Sequence, residues 1–115
     1  MLADYGLKLK SDYFISCALN ELALEHDVDF PPRFFTASHF FFAYAFEHGV
    51  VSENNMCLIS ATCSEIAVSL GVSRIQVHQF LSFLSSIGVV ERVPNGGKNG
   101  RNTFVSLSVF TDKIS

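Results

Sequence analysis

The sequence predicts a mainly α-helical domain with a small antiparallel β-sheet, and three observations carry that prediction. Helical periodicity introduced by capping residues occurs four times between Ser11 and Ile87. Two β-branched runs, 89–93 and 103–109, flank a loop rich in glycine and asparagine, as a β-hairpin requires. With 115 residues there is room for one hydrophobic core and an accessory helix or two, but not for a second core.

The first helix follows from Ile15, Ala18, Leu19, Leu22 and Ala23, with Ser11 as N-cap, Asp12 beside the positive end of the dipole and an end near His26. Pro31 and Pro32 fix φ and remove two donors, so 27–33 reads as a stiff connector. A second helix is expected from about Ala37 to His48, capped by Thr36, stapled by Phe35 against Phe40 and stopped by Gly49. Its residues 40–46 include no polar face, and a helix that is apolar all round is buried all round. After the turn residues 52–55, the run 56–60 reads as a short strand. Thr62 with Glu65, then Ser73 with Gln76, repeat a capping-box pattern. They open a short third helix with apolar residues Ile66, Ala67 and Leu70, stopped by Gly71, and a longer fourth with Val77, Phe80, Leu81, Leu84 and Ile87, stopped by Gly88. Separated only by Gly71 and Val72, these two helices meet at a steep angle.

Composition narrows the function classes. No apolar run approaches the roughly 20 residues of a membrane-spanning helix. Asp4, Lys8, Lys10 and Asp12 interrupt any secretory signal, so a soluble, cytoplasmic protein is expected. Cys17, Cys57 and Cys63 are odd in number and irregular in spacing, which fits reduced, mostly buried thiols. The alternative is a redox switch or metal site combining Cys57 and Cys63 with His39 or His48, although no CxxC or HxxxH spacing supports it. The net charge of −3 is unevenly distributed: residues 1–63 carry eight acids against three bases, net −5, and residues 64–115 carry five bases against three acids, net +2. A polyanionic partner would prefer the C-terminal half.

The order short helix, tight turn, longer helix, glycine stop and β-hairpin resembles the winged helix-turn-helix family of bacterial and phage regulators. The resemblance covers roughly 36–109 and is most specific in Ile66-Ala67, Leu70-Gly71-Val72, Val77 and Phe80. Ala67 must be small where the next helix crosses over it, Gly71 supplies a turn conformation few residues tolerate, and Val77 and Phe80 fill the angle between the helices. Ile87-Gly88-Val89-Val90-Glu91-Arg92 looks like the helix-to-wing junction of the same family.

The resemblance implies a fourth helix that enters the major groove of double-stranded DNA by its first turns. Opposite Val77, Leu81 and Leu84 that helix carries Ile75, Gln79 and Ser82, flanked by Gln76 and His78, with Ser73 and Arg74 at its N-terminal end. Arg74 suits guanine, Gln79 suits adenine, and Ile75 suits a thymine methyl. On the wing, Lys98, Asn99, Arg101 and Asn95 suit phosphates or the minor groove. A solvated helix face and a solubilising hairpin tip are the alternative readings. His78 and Ser82 lie one turn apart without a placed acid, and no phosphate loop, nucleophile elbow or carboxylate pair appears, so neither catalysis nor a cofactor is expected.

Twelve phenylalanines are more aromatic surface than a small monomer easily buries. The expected organisation is therefore an N-terminal helix and proline connector, 1–35, acting with the phenylalanine-rich second helix as the dimerisation layer of a winged helix-turn-helix domain, 36–115. The expected function is sequence-specific DNA binding by a homodimeric transcriptional regulator. The alternative is a winged-helix module that binds another protein, as an antirepressor or assembly factor.

Overall fold

A computed structural model describes residues 1–94 and 101–114. A 3-10 turn (Leu2–Tyr5) leads into β1 (Leu7–Leu9), α1 (Asp12–Glu25), α2 (Phe34–His48), β2 (Val50–Ser52), β3 (Met56–Ser60), α3 (Cys63–Leu70) and α4 (Arg74–Ser86). The chain continues through β4 (Val90–Pro94), β5 (Arg101–Ser106), α5 (Leu107–Phe110) and β6 (Thr111–Lys113). This is a mainly α fold with small antiparallel sheets, a winged helix-turn-helix with an extra N-terminal helix.

The capped helices begin where their local chemistry directs. Ser11 Oγ accepts the Phe14 N–H at 3.4 Å, and α1 ends at His26. Thr62 Oγ1 accepts the Glu65 N–H at 3.1 Å and donates back to Glu65 Oε1 at 3.3 Å, so that box closes on the hydroxyl instead of the backbone. At Ser73 both halves form: Gln76 N–H donates to Ser73 Oγ at 3.1 Å, and Ser73 N–H donates to Gln76 Oε1 at 2.9 Å. Gly71 takes φ 69°, the left-handed conformation that lets the chain leave α3 and re-enter α4 within three residues.

The second helix departs from its expected start. It begins at Phe34, its N-cap is Arg33 without a side-chain cap bond, and Thr36 lies inside its first turn. The two prolines initiate the helix: the Pro31 and Pro32 carbonyls accept the Phe34 and Phe35 N–H groups at 2.9 and 3.2 Å. Phe34 is buried and meets the rings of Phe80 and Phe83 at 5.4 and 5.5 Å, which anchors this extra turn. Phe35 packs on Phe30 at 4.9 Å instead of stapling Phe40, which stays 56% exposed. Nor is α2 buried all round: Phe34, Ser38, Phe41, Phe42 and Ala45 face inward, while Phe40 and Ala43 face outward. Gly49 ends the helix in extended backbone, φ −80°, and not in the left-handed region. Glycine is needed there because a Cβ would run into Cys57 Sγ and the Ala45 carbonyl.

Four strands in the order β2-β3-β5-β4 form the main sheet, all antiparallel. The sequence reading missed β2, which pairs with β3 through a turn where Asn54 and Asn55 take φ 61° and 59°. It also ran the last strand too far. β5 stops at Ser106, and 107–110 coil into α5, where Leu107, Val109 and Phe110 are buried and Phe110 meets Phe42 at 5.2 Å. Thr111 Oγ1 closes this turn by donating to the Leu107 carbonyl at 2.6 Å. The final strand β6 pairs with β1, Leu7 opposite Lys113 and Leu9 opposite Thr111.

A single buried cluster unites Leu2, Ile15, Leu19 and Ala23 with the helices and sheet that follow. α2 lies at its centre, because Phe41 also meets Phe80, at 5.5 Å. Among the described residues no helix is long and apolar enough to cross a membrane.

Candidate nucleic-acid interface

α4 divides sharply. Val77, Phe80, Leu81 and Leu84 are buried, whereas Arg74, Ile75, Gln76, His78, Gln79 and Ser82 are all exposed. Every α4 residue expected at a nucleic acid therefore lies at the surface, with Ile75 69% exposed. Leaving a large β-branched side chain in water forgoes roughly 2 kcal/mol of burial. Ser73 and the Gln76 side-chain oxygen are committed to the capping box, which fixes the first turn and leaves the Gln76 amide hydrogens to donate outward.

The structure brings His78 to a residue the sequence did not connect with it. Its Nδ1 lies 3.8 Å from Cys63 Sγ, at the start of α3. Cys57 sits apart, its thiol directed at the Ala45 carbonyl at 3.7 Å, and burial pushes its pKa up to about 11. All three cysteines are free, and the described residues contain no group of three or more His, Cys, Asp or Glu side chains able to hold a metal ion.

Beside the exposed face of α4 runs a groove of about 630 Å³, lined by His78, Ser82 and Ser85 from the helix and Val90, Glu91 and Arg92 from β4. Arg92 is the residue that sequence reasoning missed as a site candidate. Strand alternation puts it on the same face as the buried Val90, and across the ladder it stands opposite Thr103, which is fully buried. Arg92 Nε and Thr103 Oγ1 are both buried without a hydrogen-bond partner among the described residues. A buried donor left unpaired costs about 1 to 3 kcal/mol, which makes this the one strained polar spot in the described part of the groove wall. The visible signal was the alternation Val90, Arg92 in a strand whose inner face is otherwise apolar.

The wing assignments are reached only in part. Lys98, Asn99 and Asn95 lie outside the described residues, and Arg101 is described by its backbone alone, paired with Pro94 at the start of β5.

A family model described as FaeA-like protein matches residues 54–108, slightly less than half of the chain. That stretch takes in β3, α3, α4, β4 and β5, and so both walls of the groove. No curated protein and no solved structure matches.

Proposed function

We propose that this protein is a non-enzymatic transcriptional regulator that binds double-stranded DNA sequence-specifically in the cytoplasm, with α4 in the major groove and the β4–β5 wing on the phosphate backbone or minor groove. One observation carries the reading. The solvent face of α4 offers Arg74, Gln79 and a 69%-exposed Ile75 together on a helix whose opposite stripe is fully packed. Those three side chains match guanine, adenine and a thymine methyl, and a major groove about 12 Å wide admits a helix. Arg92, which lines the adjoining groove, adds a second cation to this surface, and its guanidinium suits a phosphate oxygen.

The protein acts as a homodimer built on its first two helices. Tyr13, Phe14 and Leu24 on α1 are 72, 62 and 79% exposed, which leaves apolar surface on the outer side of that helix while Ile15, Leu19 and Ala23 face the core. A two-fold pair would set two recognition helices about 34 Å apart, one DNA turn. Sedimentation equilibrium at micromolar concentration should give a dimer, and a strictly monomeric species contradicts it.

Arg74→Ala and Gln79→Ala should each leave the fold intact and weaken binding to a selected duplex by about 1 to 3 kcal/mol. Lys98→Ala combined with Arg101→Ala should weaken all duplexes alike and lower the salt slope by about two. Unchanged affinity in both α4 variants overturns the groove assignment. Binding of a protein partner through Ile75 and the exposed Val68 would then be the better reading, since Arg74 is the sole cation of α4.

A further inference from the structure

On the side of α4 opposite the groove, a pocket of about 360 Å³ opens between the first two turns of α2 and the α3–α4 turn. Phe34, Val77 and Phe80 are buried at its base; Phe40, Leu70 and Val72 extend its apolar walls. The exposed polar residues that line it, Arg33, Thr36, Gln76 and Gln79, form an edge, and none of its lining residues is acidic. Its size lies at the small end of the range for small-molecule sites, about 300 to 1,000 Å³.

We propose that this pocket binds a small apolar monocarboxylate, an aromatic or branched aliphatic acid, with its carboxylate on the Arg33 guanidinium and its body between Phe34, Phe40 and Val72. The charge pattern selects this class. Arg33 is the one cation lining the pocket, and its Cζ stands 4.8 Å from the centre of the Phe34 ring, so the guanidinium is held against the aromatic wall. A planar guanidinium matches a carboxylate through two parallel hydrogen bonds. A polyphosphate would need more than one cation, and a neutral hydrocarbon would leave Arg33 without a role.

The consequence for DNA rests on the proposed function; the binding itself does not. Gln79 belongs both to the pocket edge and to the face assigned to bases, and Gly71 and Val72 form the turn that sets α4 against α3. An acid lodged there restrains Gln79 and the turn together, so its occupancy lowers affinity for the duplex by the same coupling with which the duplex lowers affinity for the acid.

The test is an amide chemical-shift titration of the isotopically labelled full chain, without DNA, using phenylacetate, 3-methylbutanoate and phenylacetamide. At least one acid should give saturable shifts at Ala37, Gly71, Val72 and Gln79. The amide, which lacks the charge, should bind about ten-fold more weakly, as should the acid to Arg33→Gln, with the amide spectrum of that variant showing the same fold. Silence of both acids at millimolar concentration, equal binding by the amide, or shifts centred elsewhere overturns the proposal. Because no DNA is present, a failed DNA-binding reading leaves this result untouched; repeating DNA binding with the acid present reads the coupling separately.

Discussion

Towards β4, α4 presents His78, Ser82 and Ser85 to a polar groove lined by Glu91 and Arg92; towards α2, the same helix presents Val77 and Phe80 to aromatic walls with one guanidinium at the edge. The two flanks take their chemistry from their neighbours. A strand alternates, so β4 can bury Val90 and half-bury Arg92 on one face while turning Glu91 and Val93 out. A helix as apolar as α2 has little polar to offer and packs ring on ring. Fold stability should therefore reside on the α2 flank, and recognition on the exposed face and the β4 flank.

The sharpest way to break that division is Phe80→Ala. Phe80 meets both Phe34 and Phe41, so its loss should cost about 3 to 5 kcal/mol in denaturant unfolding. A loss below about 1 kcal/mol would mean that the aromatic contacts do not hold α4 in place. Alkali should act next. Folded Cys57 keeps its proton to about 11, while the thiol of the unfolded chain releases its own near 9.0. Below 9 both states are protonated and stability is complete; from 9 towards 11 only the unfolded state gains by ionising, and stability falls by on the order of 2 kcal/mol. Cys57→Ala should flatten that stretch of a pH-dependent melting curve, and an unaltered slope would count against the buried thiol as its source.

Gly71→Ala should cost about 1 to 2 kcal/mol, the strain of a Cβ at φ 69°, without any clash, since nothing lies within 4 Å of the position. The smallest effect belongs to the recognition face. Ile75→Ser should move the melting midpoint by no more than the equivalent of about 0.5 kcal/mol, because the side chain is already in water. A larger destabilisation would place Ile75 in the packed core and remove it from the DNA-facing set.

Boundaries written in local chemistry were legible in the sequence. Ser11, Thr62 and Ser73 each lie next to the helix they cap, and a stripe such as Val77, Phe80, Leu81 and Leu84 declares its buried side without reference to anything distant. The start of α2 was not legible, because what fixes it is Phe34 reaching Phe80 and Phe83 far along the chain. The same holds for β1 and β6: three-residue strands whose partners lie at opposite ends of the sequence leave no periodic trace. Within the site, the α4 face followed from a helical wheel, and every residue chosen there is exposed. Arg92 needed the β4–β5 register to show that it points inward opposite a buried threonine, and the pocket beside Arg33 needed α2 set against the α3–α4 turn.

The central claim, that the exposed face of α4 with Arg92 beside it meets DNA, is most directly tested by amide chemical-shift mapping of the labelled protein with duplex DNA at low salt. The account predicts shifts at 73–82 and at Arg92 that reverse as salt is raised, because phosphate contacts weaken with ionic strength. Shifts confined to α1 around Tyr13 and Phe14, or none at α4 when duplex is in excess, would contradict it.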